Sequence, residues 1–246
     1  MSRPNSGRRK KRPADTAPPP AARTRATACL QAVTMTTGCE QPVAHERPTL
    51  VVGVTGASGA PYAARLVERA VRAGRRVHLV ATAAGRLVMA DELGLGGPAD
   101  ELDLAGIWPP DILAHITYTP AEDLSAPPAS GSFDAEAAVI IPCSMNTLAA
   151  LAAGLAGNLV QRAGYVALKE GRPLVLVPRE MPVTRIDLEN MARLASVGAV
   201  VMPAMPGFYH RPKTVGDIVD FVVAKVLARL GIEHGLDVRW PAKGRV

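Results

Sequence analysis

The stretch Pro178-Arg179-Glu180-Met181-Pro182 sets a base and an acid side by side between two prolines. It directly follows Leu174-Val175-Leu176-Val177, an apolar run of the kind that forms a fully buried parallel strand. In open α/β sheets, ligands collect outside the carboxyl ends of such strands. The prolines fix their own φ and bias Val177 and Met181 away from helix, so a stiff extended turn is expected to present Arg179 and Glu180. Taken alone, the dipeptide reads equally as a site or as a surface pair in a βα connection.

Two other segments have the chemistry of ligand loops. Thr55-Gly56-Ala57-Ser58-Gly59-Ala60-Pro61-Tyr62 has glycines that allow a tight turn and a close approach of backbone to ligand. The helix predicted after it points free N–H groups at an anion, so a phosphate fits. The segment is not GxGxxG and lacks the lysine of a Walker loop, which leaves neither a dinucleotide nor a nucleoside triphosphate indicated. A glycine turn without ligand is the competing reading. In Pro142-Cys143-Ser144-Met145-Asn146-Thr147, the small donors Ser144, Asn146 and Thr147 open another predicted helix, as N-caps or as ligand contacts. Two such strand ends in one sheet point to a mononucleotide lying across the crevice between them.

Cys29, Cys39 and Cys143 make an odd count with no CxxC and no histidine at metal-ligand spacing, so neither a disulfide framework nor a zinc site is expected. Cys143 ends an apolar run and reads as a small buried residue rather than a nucleophile.

The elements that must position these loops follow from hydrophobic period. Strands are predicted over 50–55, 76–81, 137–141, 173–177 and 199–202, with an apolar segment at 116–118 in a loop-rich stretch. Helices are predicted over 62–73, 84–93, from about 146, and over 160–169, 186–197 and 215–230; the first places Leu66, Val67, Ala70 and Val71 on one face. Alternating strands and helices imply right-handed crossovers and a mainly parallel three-layer α/β sheet.

The 246 residues are 48% hydrophobic and carry a formal charge of +6, which would hint at nucleic acid if it were spread over a folded surface. It is not: residues 1–47 hold nine basic and three acidic residues, leaving 19 of each in residues 48–246. The first 47 residues, with Pro18-Pro19-Pro20 and no hydrophobic period, are expected to be a disordered basic tail on one folded domain at 48–246. Arg8-Arg9-Lys10-Lys11-Arg12 reads first as a solvated end and second as an anionic-surface patch, and Met35 is an alternative start. No apolar segment follows the basic cluster as in a secretory signal, and no apolar run is long enough to span a membrane, so a cytoplasmic location without membrane or nucleic-acid partners is expected.

In order along the chain come Thr55-Gly56-Ala57-Ser58-Gly59-Ala60, Pro127-Pro128-Ala129-Ser130-Gly131-Ser132, Pro142-Cys143-Ser144-Met145-Asn146-Thr147-Leu148, Leu168-Lys169-Glu170, Leu174-Val175-Leu176-Val177-Pro178-Arg179-Glu180, Leu188-Glu189-Asn190-Met191 and Gly207-Phe208-Tyr209-His210-Arg211-Pro212, closing on Arg239-Trp240. With these motifs the chain resembles the UbiX/Pad1 family of flavin prenyltransferases over essentially all of residues 49–241. The resemblance implies a Rossmann-like flavoprotein fold. It also implies transfer of a dimethylallyl group from dimethylallyl monophosphate to N5 and C6 of reduced FMN, without a metal. The product, prenylated FMN, would serve a UbiD-type decarboxylase, and the protein would be a large homo-oligomer, a dodecamer, with sites at subunit contacts.

Carried onto this sequence, the family pattern assigns FMN to Gly56, Ala57, Ser58, Thr82, Ser144, Met145, Asn146, Thr147 and Arg179. It assigns the allylic phosphate to Lys169, Tyr209 and Lys225 with Arg162 nearby, and gives Glu92, Glu180 and Lys169 catalytic roles, the two carboxylates handling protons. Lys, Arg and Tyr donors stabilise charge building on a departing phosphate, and a carboxylate beside the ring assists proton removal. This chain has Thr82 where the family carries Ser, Met181 for Thr or Ala, Lys225 for Arg, Gly164-Tyr165 for Ala-Asp, and Gly171 for Arg. Lysine keeps a phosphate-binding charge but loses the planar fork of arginine. Two other readings remain open at this stage. One is a related FMN-dependent cysteine decarboxylase, for which His115 is the candidate catalytic histidine; the other is a flavin-binding partner impaired in catalysis.

Overall fold

The computed structural model describes residues 47–95, 101–236 and 238. The expected disordered tail apart from Arg47, with its basic cluster, Cys29, Cys39 and Met35, lies outside these residues, as do Arg239 and Trp240. Six strands, β1 (Thr49–Val54), β2 (Arg76–Ala81), β3 (Ile116–Pro120), β4 (Ala137–Cys143), β5 (Leu174–Pro178) and β6 (Val200–Val201), form one sheet in the order β3-β2-β1-β4-β5-β6. Every pairing is parallel. The helices are α1 (Ala60–Arg72), α2 (Ala83–Glu92), α3 (Leu104–Ile107), α4 (Pro110–Leu113), α5 (Met145–Ala152), α6 (Leu159–Lys169), α7 (Arg185–Ser196) and α8 (Val215–Arg229).

A parallel sheet needs cover on both faces, and the strand sequences show it. Each residue of β4 and β5 is buried, and each of β1 after Thr49. Alternate side chains go to opposite faces: Leu50, Val52 and Val54 join one core with α1 and α8, while Val51, Ile140 and Leu176 join another with α5 and α6. On α1, Leu66, Val67, Ala70 and Val71 are all buried, as their spacing predicts. An ion pair ties α1 to α8, with Arg65 Nε 2.6 Å from Asp220 Oδ1 and Nη2 2.9 Å from Oδ2.

The chain leaves β1 to build β2 and β3 on one side and β4, β5 and β6 on the other. That reversal opens a crevice between the carboxyl ends of β1 and β4, where doubly wound folds bind ligands. The two segments singled out from sequence lie at those strand ends, 55–62 leading from β1 into α1 and 142–147 running from the end of β4 into α5.

Differences from the predicted elements are local. β4 continues through Pro142 and Cys143, with a register shift between Ile140 and Cys143. The single-turn helices α3 and α4 are too short to show a hydrophobic period; α3 starts where Asp103 accepts from Ala105 N and Gly106 N, and α4 where Pro110 pre-sets φ. β6, at one edge of the sheet, keeps only two residues, hemmed by Gly198 and Pro203.

Candidate active site

Three helices start at the carboxyl edge of the sheet within the crevice region. α1 begins at Gly59, whose φ of 128° suits glycine, with Pro61 in the first turn. α2 is capped by Thr82, whose hydroxyl accepts from Gly85 N at 3.0 Å. α5 is capped by Ser144, which accepts from Thr147 N at 3.4 Å. Gly56 lies where a Cβ would stand 2.5 Å from the Ala84 Cβ, so only glycine lets the loop after β1 approach the start of α2 this closely. The loops after β1 and β4 are joined through Thr55, whose hydroxyl donates to Pro142 O and accepts from Ser144 N, each at 2.7 Å.

The anion predicted for the first loop is supplied in part by the chain itself. The carboxylate of Glu92, the last residue of α2, accepts from Gly59 N at 2.9 Å and Ala60 N at 2.7 Å. Burial alone would raise its pKa. The Ser58 hydroxyl, these two N–H groups and the nearby Arg179 charge outweigh that and hold the carboxyl below its usual range. Glu92 is therefore ionised at neutral pH and unfit to deliver a proton. Arg179 completes this cluster: its Nε donates to Ser58 O at 3.1 Å and its backbone N to Cys143 O at 3.4 Å. The sequence pair Arg179-Glu180 thus divides. Glu180 is exposed, with its Oε1 accepting from the adjacent Met181 N at 3.1 Å.

The crevice therefore gathers Gly56, Ala57, Ser58, Thr82, Glu92, Ser144, Thr147 and Arg179, with Met145 and Asn146 in the first turn of α5. The donor set fits FMN: a glycine cradle, helix N-termini after β2 and β4, capping hydroxyls and a guanidinium.

The remaining sequence-chosen residues have other contacts in this chain. Lys169 ends α6 just before β5 begins, at the amino edge of the sheet, whereas Arg179 follows the end of β5; that strand spans roughly 16 Å. Lys169 Nζ pairs with Glu170 at 2.9 Å, beside Gly131. Arg162, two turns earlier, donates from Nε to Ala129 O at 3.0 Å. The carboxylate lost at position 165 is thus not what holds it, and Gly164 is buried where a Cβ would meet Leu151 Cδ2 at 3.2 Å. Tyr209 and Lys225 form a third group around Phe221, with the rings of Tyr209 and Phe221 5.5 Å apart and Lys225 Nζ 5.6 Å from the Phe221 ring.

Cys143 is fully buried and its thiol is pushed up to about 12, as befits an inert strand-end residue. His115 precedes β3 at the amino edge, its Nε2 3.0 Å from Arg47 Nη1, on the opposite side of the sheet from the crevice. Among the described residues no cluster of three or more His, Cys, Asp or Glu could hold a metal, and no helix is long and apolar enough to cross a membrane. Sequence reasoning assigned no role to Thr55 and did not foresee the contact of Glu92 with Gly59 and Ala60. The first had a signal, a hydroxyl residue at a strand end; the second depends on α2 returning to α1, which no local pattern encodes.

Fold and crevice together define a mononucleotide-binding flavoprotein, and the Flavoprotein family pattern matches residues 39–227. The chain is 48% identical over 194 residues to flavin prenyltransferase UbiX of Halalkalibacterium halodurans, covering 77% of this chain and 91% of that protein. It belongs to the UbiX family of flavin prenyltransferases. Among solved structures, AnUbiX (PadA1) in complex with FMN and dimethylallyl pyrophosphate superposes with a TM-score of 0.69 at 33% identity, over 80% of this chain and 98% of that one. A dodecameric FMN-dependent UbiX-like decarboxylase from Escherichia coli O157:H7 superposes with a TM-score of 0.68 at 41% identity, over 79% and 100%.

Proposed function

We propose that this chain is a flavin prenyltransferase that joins a dimethylallyl group, delivered as its phosphate ester, to N5 and C6 of reduced FMN. The observation that carries this reading is the cluster of Gly56, Ser58, Glu92 and Arg179 at the β1/β4 crevice in a member of the UbiX family. Reduced FMN supplies the nucleophilic ring atoms. Gly56, Ala57, Ser58, Thr82 and residues 144–147 hold it, and the Arg179 guanidinium, fixed through Nε, offers its terminal N–H groups to phosphate or ring oxygen. Glu92, kept ionised, accepts a proton near Ser58. Glu180, exposed beside Arg179, is the second carboxylate for proton removal.

Arg162, Lys169, Tyr209 and Lys225 stabilise the leaving phosphate, and Lys169, which precedes β5, stands a strand's length from the crevice of its own chain. We infer a homo-oligomer, as in the dodecameric relative, in which neighbouring subunits bring these groups to it. Exposed apolar side chains support assembly: α7 buries only Leu194, while Met181, Ile186, Leu188, Met205 and Phe208 are left open. The product would serve a UbiD-type decarboxylase in the cytoplasm, and the folded unit would be residues 48–246. His115, remote from the crevice, gives the cysteine-decarboxylase reading no catalytic histidine.

The test is incubation of the purified protein with reduced FMN and dimethylallyl monophosphate or diphosphate, followed by mass spectrometry of the flavin. A flavin heavier by one prenyl unit is expected; tight FMN binding with no adduct from either ester would instead mark an impaired flavin-binding partner.

A further inference from the structure

Thr55 is 1% exposed, too deep to meet a ligand, yet its hydroxyl is fully engaged. It donates to Pro142 O and accepts from Ser144 N, both at 2.7 Å, while Thr55 N reaches the same carbonyl at 3.3 Å. The place of these bonds matters. The β1–β4 ladder ends at the pair Gly53 and Ile140, and in the same stretch, before Cys143, β4 shifts register against β5 on its other side. Regular pairing therefore stops just before the two strands open into the crevice. There the Thr55 side chain takes over from the ladder.

Its neighbours are the ligand loops themselves: Gly56 is next in the chain, and Ser144 is the cap from which α5 starts. We propose that Thr55 is a positioning residue, its hydroxyl setting the spacing between the 56–58 loop and the 144–147 loop and thereby the affinity for flavin. This rests on the flavin-binding reading of the crevice. Valine has nearly the same shape but would leave the part-buried Ser144 N–H without its acceptor and the Pro142 carbonyl with only the longer bond from Thr55 N, so the loops would part or admit water; serine keeps the hydroxyl.

The test compares the full-length protein with Thr55→Val and Thr55→Ser. FMN is titrated by flavin fluorescence, and amide hydrogen exchange is read on peptides covering residues 55–60 and 142–148. Thr55→Val is expected to weaken FMN binding about tenfold or more, Thr55→Ser by about threefold or less. KM for FMN should rise more than kcat falls, and exchange should quicken in those two peptides alone. The proposal is overturned if Thr55→Val binds FMN as the parent does, if serine fails to rescue, or if exchange quickens throughout the molecule. A parent protein that binds no FMN would sink the flavin reading, and the exchange data would still decide the role of Thr55 in joining the loops. Should the valine variant not fold, the Ser144 amide of the parent decides: protection supports the bond, and exchange at the rate of an open loop overturns it.

Discussion

Arg179 Nε lies 3.1 Å from the carbonyl oxygen of Ser58, joining the loop after β5 to the loop after β1 across the end of β4. Lysine has no counterpart to Nε and ends in a point charge, so Arg179→Lys loses either this bond or the reach toward phosphate. We expect FMN affinity to fall about tenfold in Arg179→Lys, and prenyl transfer to fall about a hundredfold or more in Arg179→Ala. Flavin titration and adduct mass spectrometry measure the two effects separately. Lysine equal to arginine in both would show that the Ser58 bond is incidental.

Glu92 stabilises the amino end of α1, and its pH dependence follows from its lowered pKa. A carboxyl whose folded value lies below the ordinary 4.5 contributes stability above that value and loses it as pH falls through the folded one. Glu92→Gln should cost about 1 kcal/mol at neutral pH, since the amide keeps an acceptor but not the charge at the helix end. The gap in melting temperature between parent and variant should close as pH falls from the ordinary carboxyl value of 4.5 through the lower folded one. A gap that stays constant to acid would mean that the carboxylate charge plays no part.

How far the site was legible depends on whether its residues belong to one local pattern. The strands were readable because β1, β4 and β5 are buried on both faces and so appear as unbroken apolar runs. Ser144 and the glycines were readable because caps and tight turns have local signatures, whereas Thr82, the cap of α2, was assigned only through the family pattern. The contact of Glu92 with Gly59 was not, because it joins residues 33 apart in sequence through tertiary packing. Nor did order along the chain reveal that Lys169 and Arg179, one strand apart, stand at opposite edges of the sheet. A motif list names such residues together; only the topology separates them.

Cys143 tests the reading of the loop after β4 as a binding rather than a nucleophilic element. With its thiol buried and pushed up to about 12, it stays protonated at neutral pH. Iodoacetamide should leave the Cys143 peptide unmodified in the native protein and label it after denaturation. Cys143→Ala should keep prenyl transfer within about twofold while costing about 1 kcal/mol of stability for the lost packing. Native labelling at Cys143 with matching loss of activity would return it to the list of nucleophiles.

The separation of Lys169 from Arg179 leads to a prediction about assembly. If one subunit supplied both residues, Lys169→Ala and Arg179→Ala chains would each be inactive and would remain so when mixed. If instead Lys169 of one subunit serves the crevice of another, a hybrid oligomer contains some sites in which both side chains are intact. Random mixing of equal amounts, followed by dissociation and reassembly, places two intact residues in about a quarter of the sites, and activity should return to about that fraction of the parent. Lys169 in the single chain is held by Glu170 at 2.9 Å, so the shared site must also draw it from that partner. Glu170→Gln is therefore expected to leave assembly intact and to lower the KM for the allylic phosphate, because the lysine no longer has a competing anion. Failure of the mixed chains to recover activity, with hybrid oligomers verified by native mass spectrometry, would mean that one subunit supplies both residues, and a Lys169→Ala chain active by itself would place Lys169 outside the site.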